Sequence, residues 1–309
     1  MNVNDMLFYM SRIINFVEGN KYGIEIELEG SKIVSQSYDT AVTKTWTLKD
    51  DNSLRNSPQR AEYVSSFPID FKHIGGHLLE LSEYLESNNA LIKNSHRCSV
   101  HVHRNVMDVD VLELYKIITI YYILEEVVLN LYGNTRKGNR FCLRLKDAIM
   151  TPNNIRAGFI GFQFSRDRRY SSLNLSSINQ IGTIEFRGFD SVTNVMDVFN
   201  YISTIENIFE AAKVFDDFQD IINKASINPK EFIIEILGEE FYNEESEKQI
   251  YEAIPLVYSL IEGWEALNYE AHYIMGIVNN RRGNSEAVST TEPRLTSELW
   301  AAIPTQFRG

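Results

Sequence analysis

Glu25, Glu27 and Glu29 occupy alternate positions of the stretch GIEIELE (23–29), with Ile24, Ile26 and Leu28 between them. A period of two is the mark of a half-buried β-strand, because successive side chains point to opposite faces of a sheet. SVHVH (99–103) and GTIEFRGFD (182–190) repeat the pattern, with His101 and His103 on one face of the first and Glu185 and Arg187 on one face of the second. Three such segments require a sheet with one apolar face to bury and one polar face to solvate or use. Carboxylates sharing a strand face repel one another unless water or a cation screens them. A cation is therefore the first expectation.

Around these strands the chain reads as α+β. Leu7, Met10, Ile13, Ile14 and Val17 fall at helical spacing near the N-terminus. Residues 22–66 alternate apolar and polar, with turn signals at Glu29-Gly30 and Asp50–Ser53, which predicts a β-meander. Residues 69–89 read as a helix, and Asp108 or Asp110 is placed to cap a long apolar helix running to about Tyr132. A loop-rich basic stretch follows, holding Arg136, Lys137, Arg140, Arg144, Arg166, Arg168 and Arg169. The strand at 182–189 comes next, then helical periodicity from Val195 to about Leu267 and a polar tail. Strands and helices do not alternate regularly, so the sheet is expected to be mainly antiparallel. The expected organisation is a catalytic domain over 1–200, a helical region packing on it over 201–275, and a weakly ordered tail over 276–309.

Composition excludes several roles. A net charge of −12 over 309 residues disfavours nucleic-acid binding, which relies on Lys and Arg to neutralise phosphates, and docking on anionic lipid. Cys98 and Cys142 are the only cysteines, too few for a disulfide framework and in keeping with a reducing cytoplasm. No signal-peptide pattern opens the chain. The most apolar run, 117–132, is interrupted by Glu125 and Glu126 and is short for a bilayer span. No membrane and no nucleic-acid partner are expected; oligomeric state stays open, a homo-oligomer included.

Glu25, Glu27, Asp51, Glu62 and Glu185, with His101, form an oxygen-rich donor set with one imidazole. That chemistry suits Mg²⁺ or Mn²⁺ better than Zn²⁺. The set exceeds what one Mg²⁺ takes from protein, so two or three ions bridged by a polyphosphate are expected. The arginines at 140, 166, 168, 169 and 187 then become forked donors for phosphate oxygens and a carboxylate.

The order GIEIE, DDNSLR, AEYVSS, CSVHVH, RFC, RYSSLNL and GTIEFRGFD, over about residues 20–195, resembles the amidoligase family. That family belongs to the carboxylate–amine ligase superfamily, with glutamine synthetase and the γ-glutamylcysteine ligases. The resemblance implies a glutamine-synthetase-like fold, with a metal and ATP cleft on its sheet. It also implies Mg²⁺ or Mn²⁺ as cofactor with ATP, and amide formation through an acyl phosphate. Glu25 and Glu27 match the paired glutamates of the first metal strand. His101 matches the first histidine of the H-x-H strand, which meets metal or phosphate, and His103 would lie near the nucleotide. Glu185 and Arg187 match the E-x-R strand. Glu62 and Asp51 would complete a second metal. Arg140, Arg168, Arg169 and Asn174 fall where phosphate or substrate contacts are placed. The implied partners are a carboxylate donor and an amine acceptor, each an amino acid, a peptide or a protein.

Rival readings are a phosphotransferase on the same scaffold, a metal hydrolase using His101 and His103, and a non-catalytic nucleotide-binding scaffold. A Cys–His nucleophile built on Cys98 or Cys142 is a further one.

Overall fold

A computed structural model describes residues 2–4, 18–33, 39–49, 60–139, 142–144, 147 and 170–257. The N-terminal helical pattern beyond Asn4, the polar tail, and most of the basic stretch lie outside the described residues. Among the described residues nine strands form one mixed-length sheet: β1 (Lys21–Ser31), β2 (Thr40–Ala41), β3 (Trp46–Lys49), β4 (Arg60–Ser65), β5 (Ile69–Asp70), β6 (Leu91–Lys93), β7 (Ser99–Asn105), β8 (Leu173–Asn174) and β9 (Thr183–Asp190). Six α-helices accompany them: α1 (Ile74–Ser87), α2 (Val111–Tyr132), α3 (Ile178–Ile181), α4 (Asp197–Val214), α5 (Phe218–Ile227) and α6 (Pro229–Ile236). A further helical stretch covers 244–257. The architecture is α+β, and these named strands all pair antiparallel, with one isolated parallel bridge between Leu143 and Ser171.

The sheet order is β2-β3-β4-β1-β7-β9-β8, with β5 and β6 also pairing with β1. This corrects the meander expected over 22–66. β2, β3 and β4 do follow one another, but β1 lies beside β4 and β7, not beside β2. Its alternation explains the placement: Tyr22, Ile24, Ile26 and Leu28 are all buried, and a long strand that buries a full apolar row gains most in the centre of the sheet. The helix expected over 69–89 is also shorter than its pattern. Ile69–Asp70 extend the sheet against Lys21–Tyr22, a 3₁₀ turn covers Phe71–His73, and the α-helix begins only at Ile74.

α2 covers the apolar side of the sheet. Asp110 caps it, its carboxylate accepting from the Leu112 amide at 2.8 Å. Apolar residues are buried on nearly every side of this helix, as expected for an element packed between a sheet and other helices. α4 and α5 pack against it, α4 also reaching the sheet through Tyr201 and Glu206, and α4 runs unbroken through residue 200. Among the described residues no helix is long and apolar enough to cross a membrane.

One irregularity positions the site. Ser99 and Val100 pair with Asp190 and Phe189, whereas Val102 and His103 pair with Phe186 and Glu185, so β9 carries an extra residue between. This bulge turns Phe189 to the core, where its ring lies 4.7 Å from that of Tyr201, while Glu185 and Arg187 stay on the polar face. Gly188 sits in the bulge, where a Cβ would come within 2.1 Å of Leu129 Cδ2. Gly133 crosses over it, where a Cβ would meet the Gly188 carbonyl at 1.9 Å. Gly188→Ala is expected to lower the unfolding free energy by about 1–3 kcal/mol, the usual cost of overpacking a filled core. Urea denaturation reads this directly, and an unchanged midpoint would contradict the close packing.

Candidate active site

The pairing register brings the polar residues together from distant parts of the chain. Glu25 of β1 stands opposite His101 of β7, His103 opposite Glu185 of β9, and Glu185 opposite Asn174 of β8. All lie on the face turned away from α2. His101 Nδ1 lies 3.2 Å from Glu25 Oε2 and 3.6 Å from Glu185 Oε1. His103 Nε2 lies 3.7 Å from Glu25 Oε1 and 3.9 Å from Glu185 Oε1. One donor atom each from Glu25, His101 and Glu185 falls within 4.8 Å of the others. Two carboxylates and an imidazole at that separation suit a hard divalent cation.

The surrounding groups hold these ligands in place. Asn174 donates to Glu185 Oε2 at 2.6 Å, and Arg187 Nη1 donates to Glu185 Oε1. Among the described residues the buried Nε of Arg187 has no hydrogen-bond partner, and its Nη1 also lies 3.5 Å from His101 Nδ1. Thr183 Oγ1 lies 3.0 Å from His103 Nδ1. Ser99 Oγ lies 3.0 Å from His101 Nε2 and donates to Glu27 Oε2 at 2.9 Å. A cation at His101 Nδ1 requires the proton on Nε2; Ser99 then accepts that proton's bond and passes its own hydroxyl hydrogen to Glu27. This relay was missed in the sequence, although Ser99 precedes His101 by two and so shares its face.

Charge is arranged to match. Burial by itself raises the pKa of Glu25, but hydrogen bonds from His101 and His103 outweigh it and hold the carboxyl well below the usual range. Burial likewise opposes ionisation of Glu185, and the charges of Arg187 and then the two histidines pull its pKa down. His103 moves the other way: burial disfavours its cation, yet contact with Glu25 and the charges of Glu185 and Glu25 raise it. Both carboxylates are therefore anionic at neutral pH and ready for a cation.

The three glutamates of β1 have separate fates. Glu25 belongs to the cluster. Glu27 is buried, accepts from the Ser99 amide at 2.8 Å and stands opposite Glu62 of β4. Glu29 pairs with Arg60 at 3.2 Å and accepts from Ser95 Oγ at 2.5 Å, so its repulsion is answered by protein groups. Glu27 and Glu62 are outside the three-residue cation cluster. Asp51, Arg140, Arg166, Arg168 and Arg169 lie outside the described residues. Arg144 is drawn away to Glu126 on α2 at 2.9 Å. Both thiols are buried; burial and then the charge of Glu27 push Cys98 up to about 11, and burial raises Cys142. Neither is a ready nucleophile at neutral pH.

A cleft of about 370 Å³ opens beside the cluster. Its lining includes Glu25 and His103 at one end, Gly23 below, and Phe67, Pro68 and Ile181 at the apolar end. That size falls in the range of small-molecule sites.

The model of a family described as "Putative amidoligase enzyme" matches residues 20–209. No curated protein matches the chain.

Proposed function

We propose, from the premise that this chain belongs to the amidoligase family, that it is an ATP- and Mg²⁺-dependent carboxylate–amine ligase acting through an acyl phosphate. The family name denotes amide-bond formation; the nucleotide, the metal and the intermediate are our reading. The observation that carries it is the cluster of Glu25, His101 and Glu185 with the Arg187 guanidinium beside it, bound to Glu185. A cation site adjoining a guanidinium suits a metal-chelated polyphosphate.

Glu25, His101 and Glu185 would hold the metal, which when bound neutralises phosphate charge. The other steps rest on the chain's own groups. Arg187 steadies the γ-phosphoryl group through its guanidinium, one arm of which fixes Glu185. A substrate carboxylate oxygen attacks the γ-phosphorus and the bond to the β-phosphate oxygen breaks, releasing ADP. This step is needed because oxide is a poor leaving group and phosphate a good one. An amine then attacks the acyl carbon, inorganic phosphate departs, and the proton lost from nitrogen passes to a nearby carboxylate. Glu27 and Glu62 are the candidates for that role, with Asp51 as a further ligand or base. His103, Asn174, Arg140, Arg168 and Arg169 are assigned to nucleotide, phosphate and substrate contacts. The protein is expected to act in the cytoplasm.

Hydroxylamine tests this reading, because it replaces the amine and traps an acyl phosphate as a hydroxamate. The protein is incubated with ATP, Mg²⁺, hydroxylamine and a pool of carboxylates. ADP release with a hydroxamate product is expected. ADP with a stable phosphorylated product and no hydroxamate would instead identify a phosphotransferase.

A further inference from the structure

Among the described residues, the cleft over Gly23 has walls but no fixed reading heads. On the functional face β1 presents Lys21, Gly23, Glu25, Glu27 and Glu29 in turn, and only Gly23 lacks a side chain. Nothing in the backbone demands glycine there: a Cβ would meet His103 Cβ at 3.4 Å, an ordinary contact, and no positive φ is involved. What the glycine provides is volume. From Glu25 to Lys21 the strand covers roughly 13 Å, enough for a ligand anchored at the cluster to extend beneath Phe67 and Ile181. Both of these are exposed, at 45% and 52%, and the Phe67 ring is steadied edge-on by His77 at 5.8 Å.

Most polar side chains that line this cleft among the described residues are already engaged. Lys21 pairs with Asp70 at 2.8 Å. The Asn105 amide nitrogen donates to Gly19 and Asp108, and its oxygen accepts from the Met107 amide. Thr183 is tied to His103. The remaining side-chain groups are the hydroxyls of Ser65, which accepts from the Ile24 amide, and Ser66, which meets Thr47. A hydroxyl both donates and accepts, so it suits any base edge equally.

We propose that this cleft takes the planar base of a nucleoside triphosphate by stacking alone, so that the protein selects its nucleotide by the triphosphate and not by the base. The proposal rests on the nucleotide–metal reading given above. Stacking on an aromatic ring tolerates every base, because each has a π-face. A site built on fixed hydrogen bonds would instead reject the wrong partner by ~10⁴-fold or more.

The test is calorimetry in excess Mg²⁺ with ATP, GTP, CTP and inorganic tripolyphosphate, on wild type, Gly23→Val and Phe67→Ala. Wild type is expected to bind the three nucleotides within about threefold of one another, as stacking allows, and tripolyphosphate more weakly. Gly23→Val should bring ATP to the level of tripolyphosphate while leaving tripolyphosphate unchanged; Phe67→Ala, at an exposed position, should weaken all nucleotides together. A preference of about tenfold or more for one base would overturn the proposal, as would ATP binding no tighter than tripolyphosphate. Equal loss of ATP and tripolyphosphate in both variants would also overturn it. If folded wild type binds no triphosphate of any kind, the nucleotide–metal reading falls and this proposal with it.

Discussion

Glu25→Gln is expected to cut Mg²⁺-dependent ATP binding and turnover by at least ~10²–10³-fold, the scale on which preorganised charge acts in a site. The substitution keeps the shape of the side chain and removes its charge. Glu25 faces both imidazoles, and it supplies one of the three donors of the cluster. Its carboxyl is anionic at neutral pH because the histidines hold it so, and glutamine cannot replace that charge. Glu29→Gln is the paired control. It changes the same residue type on the same strand face, yet Glu29 is engaged by Arg60 and Ser95, so nucleotide binding should hardly change. Calorimetry with ATP, with and without Mg²⁺, separates the two variants. Equal effects from both would mean that bulk strand charge, not the cluster, carries the binding.

Arg104→Met is expected to lower the unfolding free energy by about 3–5 kcal/mol, the scale for breaking a buried ion pair from one side. Arg104 follows the H-x-H pair but points to the opposite, buried face; it is 3% exposed. Its Nε lies 3.4 Å from Glu206 of α4, and its Nη2 donates to Asn20 at 2.6 Å. Its guanidinium stacks 4.6 Å from the Phe209 ring. Tyr22 and Asn20 also donate to Glu206. Methionine keeps most of the volume but leaves the Glu206 carboxylate buried without its cation. The double variant Arg104→Met with Glu206→Leu should recover part of the loss, since the stranded charge is then gone. Urea unfolding measures both, and a single-variant loss under about 1 kcal/mol would show that the network is not what ties α4 to the sheet.

The parts legible in the sequence are those set by local periodicity. Alternation marks β1, β7 and β9 and sorts their side chains by face, because a strand repeats every two residues whatever it pairs with. It places Glu25 with Glu27, His101 with His103, and Glu185 with Arg187, and it would have placed Ser99 with the histidines. Asp110 as a helix cap is equally local. The bulge is not: alternation assigns Phe189 to the polar face, and only the register against β7 shows the extra residue that turns it inward. Arg104 reads as one more polar residue at the end of a strand, since nothing nearby in the chain reveals Glu206 a hundred positions on.

Up to the bulge in β9, the sequence by itself determined which side chains share a face, where the apolar rows run, and that carboxylates and imidazoles were available for a cation. Tertiary structure alone decided which of them meet. Strand neighbours are chosen by whichever arrangement buries the apolar rows together, and that closure is non-local. β1 therefore lies between β4 and β7. Glu25 consequently meets His101 and Glu185, and Glu29, two positions beyond Glu27 on the same face, meets an arginine instead.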